Sequence, residues 1–120
     1  MKMNNAVIIL TKNEELHIER CITNIPSLFN KIYIIDSFSS DKTKEIAKKY
    51  PVEFLENTFL NHSKQFNWAL DQIDKNTDWV LRIDADEFLS KKLIEEMLCE
   101  IPKLDSCVKG IFIPRSIIFQ

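Results

Sequence analysis

The chain is poor in glycine, poor in cysteine and without a long apolar run, and each shortage excludes a class of protein. Gly110 is the single glycine among 120 residues, which argues against flexible connections and low-complexity linkers. The three cysteines, Cys21, Cys99 and Cys107, are odd in number and share no zinc-ligand or redox spacing. They read as reduced core or boundary residues. Met1 to Leu10 holds one lysine, two asparagines and a short apolar run before charge returns at Lys12, so no secretory leader is expected. No stretch reaches the ~18 apolar residues of a membrane helix. Nor is there an excess of basic charge: the net charge of −2 removes the global electrostatic case for nucleic acid or an anionic membrane. A cytoplasmic location is the expectation, with the inner membrane face as a peripheral variant of it.

What the chain does have is a regular alternation of strand and helix signals. Its length suits one domain over residues 1–120, with room for a core. Ala6 to Leu10, Lys31 to Ile35, Val52 to Leu55, Trp79 to Ile83 and Ile111 to Ile113 are apolar or β-branched and read as strands. Between them, Glu14 to Asn24 has apolar residues at helical spacing and stops before Pro26. Asp41 to Tyr50 forms a second predicted helix with Asp41 as its cap, and Ser63 to Ile73 a third, capped by Ser63, with Phe66, Ala69, Leu70 and Ile73 on one face. A fourth starts at Ser90. This order predicts an α/β fold with a mostly parallel sheet and helices on both faces.

Such a topology collects the residues that follow each strand at one edge. Thr11, Lys12, Asn13 and Glu14 follow the first strand, Asp36 to Asp41 the second, and Asp84, Asp86 and Glu87 the fourth. Acids at a strand end can hold a divalent cation. They can equally cap the next helix, with Glu87 favouring its positive end, although Ser90 is the better cap. Arg82, inside the fourth strand, needs a partner if buried, and an ion pair with Asp36 or Asp84 is expected. His17 and His62 have no companions at metal-ligand spacing and read as surface residues.

The run Ile8-Ile9-Leu10-Thr11-Lys12-Asn13-Glu14, the loop Asp36-Ser37-Phe38-Ser39-Ser40-Asp41, the segment Lys64-Gln65-Phe66-Asn67-Trp68-Ala69-Leu70 and the quartet Asp84-Ala85-Asp86-Glu87 occur in that order. Together they resemble the signature of family 2 glycosyltransferases, with the nearest likeness to bacterial enzymes that build lipopolysaccharide core or capsule. The resemblance spans nearly the whole chain. It implies a Rossmann-like GT-A domain for a nucleotide-diphosphate sugar, with Asp86 as principal ligand of a Mn2+ or Mg2+ ion. Asp84 would meet the donor's ribose or reach the ion through water. Thr11, Asn13, Glu14 and Asp36 would contact the nucleotide, and Lys64 would meet the diphosphate in place of an arginine that many relatives carry where Phe66 stands. The plain alternatives are helix capping for Thr11, Asn13 and Glu14, a turn at Asp36, and a solvated Lys64. The loop departs from the family pattern at Phe38 and Lys42, where glycine is usual. A positive φ at Phe38 would bring strain.

The activity so implied is metal-dependent, inverting transfer of a sugar from a UDP-linked donor to a hydroxyl of a glycan or lipid-linked acceptor in cell-surface polysaccharide synthesis, with no nucleic acid partner. The catalytic base is unknown, since no acid present matches the family's base motif. The expectation is therefore a donor and metal half, truncated at the C-terminus, with an apolar face near Ile111 to Phe119 through which copies self-associate. A non-catalytic nucleotide-binding or degenerate remnant is the competing reading. A flavodoxin-like interaction domain is another, but it leaves the ordered motifs unexplained.

Overall fold

The computed structural model describes residues 4–27, 29–86, 95 and 110–112. The helix expected after Ser90 (Glu95 apart), together with Glu87, Cys99, Cys107 and the segment towards Phe119, lies outside the described residues. The most apolar run sits at the centre. Asn5–Thr11 forms β1, buried along its length, with Val7, Ile8 and Ile9 at 0% exposure. Burial on both sides is the mark of a parallel strand covered by helices on each face. Lys31–Asp36 (β2) and Trp79–Asp84 (β4) flank it in parallel, Glu53–Glu56 (β3) lies outside β2, and Gly110–Phe112 (β5) outside β4. The order is β3-β2-β1-β4-β5, so the chain reverses its direction of travel across the sheet between β3 and β4.

That reversal decides where the helices go. Right-handed crossovers put the connections β1 to β2 and β2 to β3 on one face, and the return from β3 to β4 on the other. Ile18–Thr23 (α1) and Thr43–Ala47 (α2) accordingly bury Ile18, Cys21, Ile22 and Ala47 against Val7, Ile9, Ile34, Leu81 and Ile83. His62–Gln72 (α3) covers the opposite face, where Phe66 and Ala69 meet Ala6, Ile8, Leu10, Tyr33, Ile35 and Val80. The α/β fold with helices on both faces is as expected, and the described strand pairs are all parallel.

The first two helices are shorter than the sequence pattern suggests. The backbone begins to turn at Glu14, whose carbonyl accepts from His17 and Ile18 at 3.0 and 2.9 Å, but regular helix starts only at Ile18. The expected helix from Asp41 to Tyr50 reduces to α2, its C-terminal end tightened by bonds from Lys49 to Ile46 and from Tyr50 to Ala47, both 3.1 Å. Helices of this length do not persist alone, so packing on the sheet maintains them. The cap of α3 also differs. Asn61 accepts from the Lys64 amide at 2.8 Å, and Ser63 falls inside the helix.

Arg82 departs from expectation for a reason the period of a strand supplies. It shares its face of β4 with Val80, whereas Asp36 follows Ile34 on the opposite face. Its guanidinium carbon lies 5.5 Å from the Phe66 ring centroid, a cation–π contact, in place of the expected ion pair with Asp36. Ion pairs do form elsewhere on the surface, between Glu14 and His17 and between Glu56 and Lys44.

Candidate functional site

The strand register brings the carboxyl ends together. Thr11 of β1 pairs with Asp36 of β2, Leu10 with Asp84 of β4, and Asp36 with Glu56 of β3. Beyond this edge, where strand order reverses about β1, lies a cleft of about 520 Å3. Open α/β sheets bind ligands at such a switch point. Its floor is Leu10 and Thr11, with Lys12 and Glu14 beside them; Ser37 and Phe38 line it after β2, Thr58, Phe59 and His62 after β3, and Asp84 and Asp86 after β4.

The β1 and β2 ends are fixed by hydrogen bonds. Asp36 is 1% exposed, which would be costly for a carboxylate without partners. Its Oδ1 accepts from the Thr11 and Ser39 hydroxyls, each at 2.6 Å, and its Oδ2 from the Ser39 amide at 2.7 Å. Thr11 and Asp36, both expected to contact a nucleotide, direct their side chains at each other, and of the two Thr11 alone lines the cleft.

The two following loops are stitched to each other. The Lys12 ammonium donates to the carbonyls of Ser37 and Phe38 at 2.9 and 3.2 Å. The Asn13 amide donates to the Ser39 hydroxyl at 2.7 Å, and Asn13 Oδ1 accepts from the Ser40 amide at 2.8 Å. Glu14 and Glu15 amides donate to the Thr43 hydroxyl and the Asp41 carboxylate at 2.8 and 3.1 Å. Asp41 also accepts from the Thr43 amide at 2.9 Å, so it caps α2 from one residue before the formal cap, Lys42. Partial burial pushes the Asp41 carboxyl up, but bonds from the Thr43 hydroxyl and amide and the Glu15 amide outweigh it and hold the group below 3.8.

Two residues in these loops have positive φ: Asn13 at 54° and Phe38 at 56°. Asn13 tolerates it; Phe38 has the left-handed backbone whose strain the missing glycine foreshadowed. Asn13 is committed to the loop seam and does not line the cleft, whereas Glu14 does, with Oε1 3.1 Å from His17 Nδ1. Lys64 borders a neighbouring depression with Asn57, Leu60 and Trp68.

The far end of the cleft carries the acids. Asp84 ends β4, half-buried, and Asp86 is exposed, with the buried Ala85 between them. Among the described residues no group of three or more metal-ligating side chains gathers. Two carboxylates still suit a hard cation that takes its remaining oxygens from a diphosphate and water, as Mg2+ and Mn2+ commonly do.

Sequence reasoning missed Phe59 and the cleft position of His62, and it marked Gln65 only as an amide early in the third helix, without its bracing bonds. Gln65 is 1% exposed and donates to Ser37 Oγ at 3.1 Å and the Asn57 carbonyl at 3.3 Å, while accepting from Asn57 Nδ2 at 2.9 Å. Phe59 packs edge-on against His62, centroids 5.2 Å apart. The one available signal for Phe59 and His62 was position, since Phe59 lies in the loop between β3 and α3 and His62 opens α3 at the same edge.

Known proteins with this arrangement agree. The family described as glycosyl transferase family 2 matches residues 6–117. An uncharacterized glycosyltransferase of Rickettsia bellii is 39% identical over 92 residues, 77% of this chain and 31% of the relative. The lipopolysaccharide core biosynthesis glycosyltransferase LpsC of Rhizobium meliloti is 31% identical over 105 residues, 83% of this chain and 37% of its own length. Crystal structures of S. aureus TarS 1-349 share the fold: one superposes with a TM-score of 0.69 at 24% identity, and the complex with UDP-GlcNAc with 0.66 at 26%, each over 84% of this chain and 33% and 32% of TarS. The chain thus spans about a third of the proteins it resembles. No helix among the described residues is long and apolar enough to cross a membrane. With its parallel sheet, cleft at the switch point and acid pair after β4, the chain belongs to glycosyl transferase family 2.

Proposed function

We propose that this chain binds the nucleotide-diphosphate-sugar donor, a UDP-sugar, of a glycosyltransferase that acts on a glycan or lipid-linked hydroxyl in cell-surface polysaccharide synthesis. The observation that carries it is the polarity of the cleft. Aromatic rings and hydrogen-bonding groups line its β2 and β3 end, and Asp84 and Asp86 its β4 end. A ligand with a planar, polar head and an anionic tail would match that polarity, with Asp84 and Asp86 as the residues that would hold a charge-neutralising cation. TarS, solved with UDP-GlcNAc and with UDP, supports a uridine donor, and LpsC, a lipopolysaccharide core biosynthesis enzyme, supports polysaccharide synthesis.

In this reading Asp86 is the principal ligand of Mn2+ or Mg2+, and Asp84 contacts the ribose or reaches the ion through water. When bound, the ion supplies positive charge that stabilises the departing diphosphate. Thr11 and Glu14 face the nucleotide from the cleft floor, while Asp36 and Asn13 act by holding the floor and its loops in place. Lys64, in the neighbouring depression, contributes through the field of its charge. Transfer inverts the anomeric carbon: the acceptor oxygen forms its bond as the bond to the diphosphate oxygen breaks, the leaving group takes the electron pair, and a carboxylate base takes the acceptor proton. We assign that base to a part of the protein that the longer relatives carry and residues 1–120 do not span. Self-association through residues 111–119 remains part of the proposal, as does a cytoplasmic site of action.

Calorimetric titration with UDP, with and without Mn2+, tests the donor reading. Binding that needs the metal and is lost in Asp86→Ala supports it; equal binding without metal refutes the metal's role. Sugar transfer by residues 1–120 alone would refute the assignment of the base. Metal-independent binding with no transfer, even in the longest natural form of the chain, would favour the non-catalytic alternative.

A further inference from the structure

Phe38 combines three properties that its turn alone does not require. Its backbone lies in the left-handed region at φ 56°, its side chain is 54% exposed, and it lines the cleft. Glycine or asparagine would adopt this conformation with less strain. A phenylalanine held there against its preference is usually compensated by burial, but this ring is half in solvent. Meanwhile the Lys12 ammonium clamps the carbonyls of the two peptide units that flank the Phe38 α-carbon, those of Ser37 and Phe38. Strain maintained by surrounding bonds at a ligand-facing position points to function. Phe59, 44% exposed and braced edge-on by His62, lines the same cleft from the loop after β3.

We infer that Phe38 is a specificity-determining residue whose ring stacks on the planar base of the nucleotide, with its left-handed backbone and the Lys12 clamp holding it in reach. The inference rests on the donor reading and extends it to one side chain. Every base has a face for an aromatic ring, so the contact favours nucleotides over diphosphates that lack a base. It also sets affinity against stability at a single position, because the residue that would relax the turn removes the ring.

The test compares the wild-type chain with Phe38→Asn and Phe38→Tyr, titrated with UDP and with inorganic pyrophosphate in the presence of Mn2+. Phe38→Asn is expected to weaken UDP by roughly fivefold to a hundredfold, the span of one base–aromatic stack. Pyrophosphate affinity stays unchanged, Phe38→Tyr keeps UDP affinity, and the Phe38→Asn melting temperature rises by about 2–5 °C as strain is relieved. Undiminished UDP binding by Phe38→Asn overturns the inference, as does an equal loss of pyrophosphate or a fall in melting temperature. If the wild type itself fails to bind UDP, the donor reading falls and takes the inference with it. If the wild type binds UDP and Phe38→Asn matches it, the inference falls alone.

Discussion

The two ends of the cleft are built on opposite principles. At the β1 and β2 end, side chains are consumed in fixing one another: Asp36 accepts from Thr11 and Ser39, Lys12 holds two carbonyls, and Asn13 joins the Ser39 and Ser40 segment. At the β4 end, Asp86 stands exposed directly beyond a buried strand. Polar residues that look alike in the sequence therefore divide into those bonded to one another and those that stand exposed at the cleft. Substitutions should separate them, the first kind altering stability and the second affinity.

The sharpest separation is expected at Asp86. Asp86→Ala should lower metal-dependent UDP affinity by about a hundredfold or more, since a charged ligand to the cation is lost, with unfolding free energy changed by no more than about 0.5 kcal/mol. Calorimetry and urea denaturation on the same sample measure both. Asp36→Asn should show the reverse emphasis. It replaces acceptors of charge-assisted bonds inside a buried site and should cost about 2–3 kcal/mol of stability, read as a lower urea midpoint at unchanged slope. A stable Asp36→Asn protein that has lost UDP would move Asp36 to the ligand-contacting group.

Asp41→Ala gives a smaller effect with a pH signature. Loss of the α2 cap should cost about 1 kcal/mol near neutral pH. Because the folded carboxyl lies below its ordinary value of 3.8, its contribution is complete above that pH and disappears as pH falls through the lower folded value. The melting-temperature gap between wild type and variant should therefore close in acid and remain constant from about pH 5 to about pH 8, above the unfolded carboxyl value of about 4. Lys64→Ala should do least, lowering UDP affinity by about twofold or less and losing even that at high salt, where exposed charges are screened. A loss of about tenfold that persists in salt would mean that Lys64 touches the diphosphate.

Much of this fold was legible in sequence because burial on a parallel sheet leaves a plain signal. Ala6 to Leu10, Lys31 to Ile35 and Trp79 to Ile83 could hardly be anything but central strands, and the acids after them had to surface at one edge. The helix limits were less legible, since the amides of Glu14 and Glu15 find partners in Thr43 and Asp41, nearly thirty residues away, which local propensity cannot see. Asn61 and Ser63 are both able caps, and only the approach of the loop after β3 selects Asn61. Arg82 misled for another reason: its charge suggested Asp36 or Asp84, but strand parity puts Asp36 on the other face and the guanidinium lies over the Phe66 ring. Within the site, the departure at Phe38 was visible as a missing glycine and appears as a positive φ. Gln65 was legible only as an amide near a helix start, because partners such as Ser37 lie too far along the chain for local pattern to show.

Yet Gln65 governs how the pocket behaves as a mechanical object. One amide joins Ser37 on the loop after β2 to Asn57 at the exit of β3, from a helix packed on the far face of the sheet. Structures braced in this way have few independent joints. The loop bearing Phe38, the exit of β3 and the first turn of α3 share a common anchor, so the shape of this end of the cleft is set from behind the wall, by a residue no ligand need ever meet.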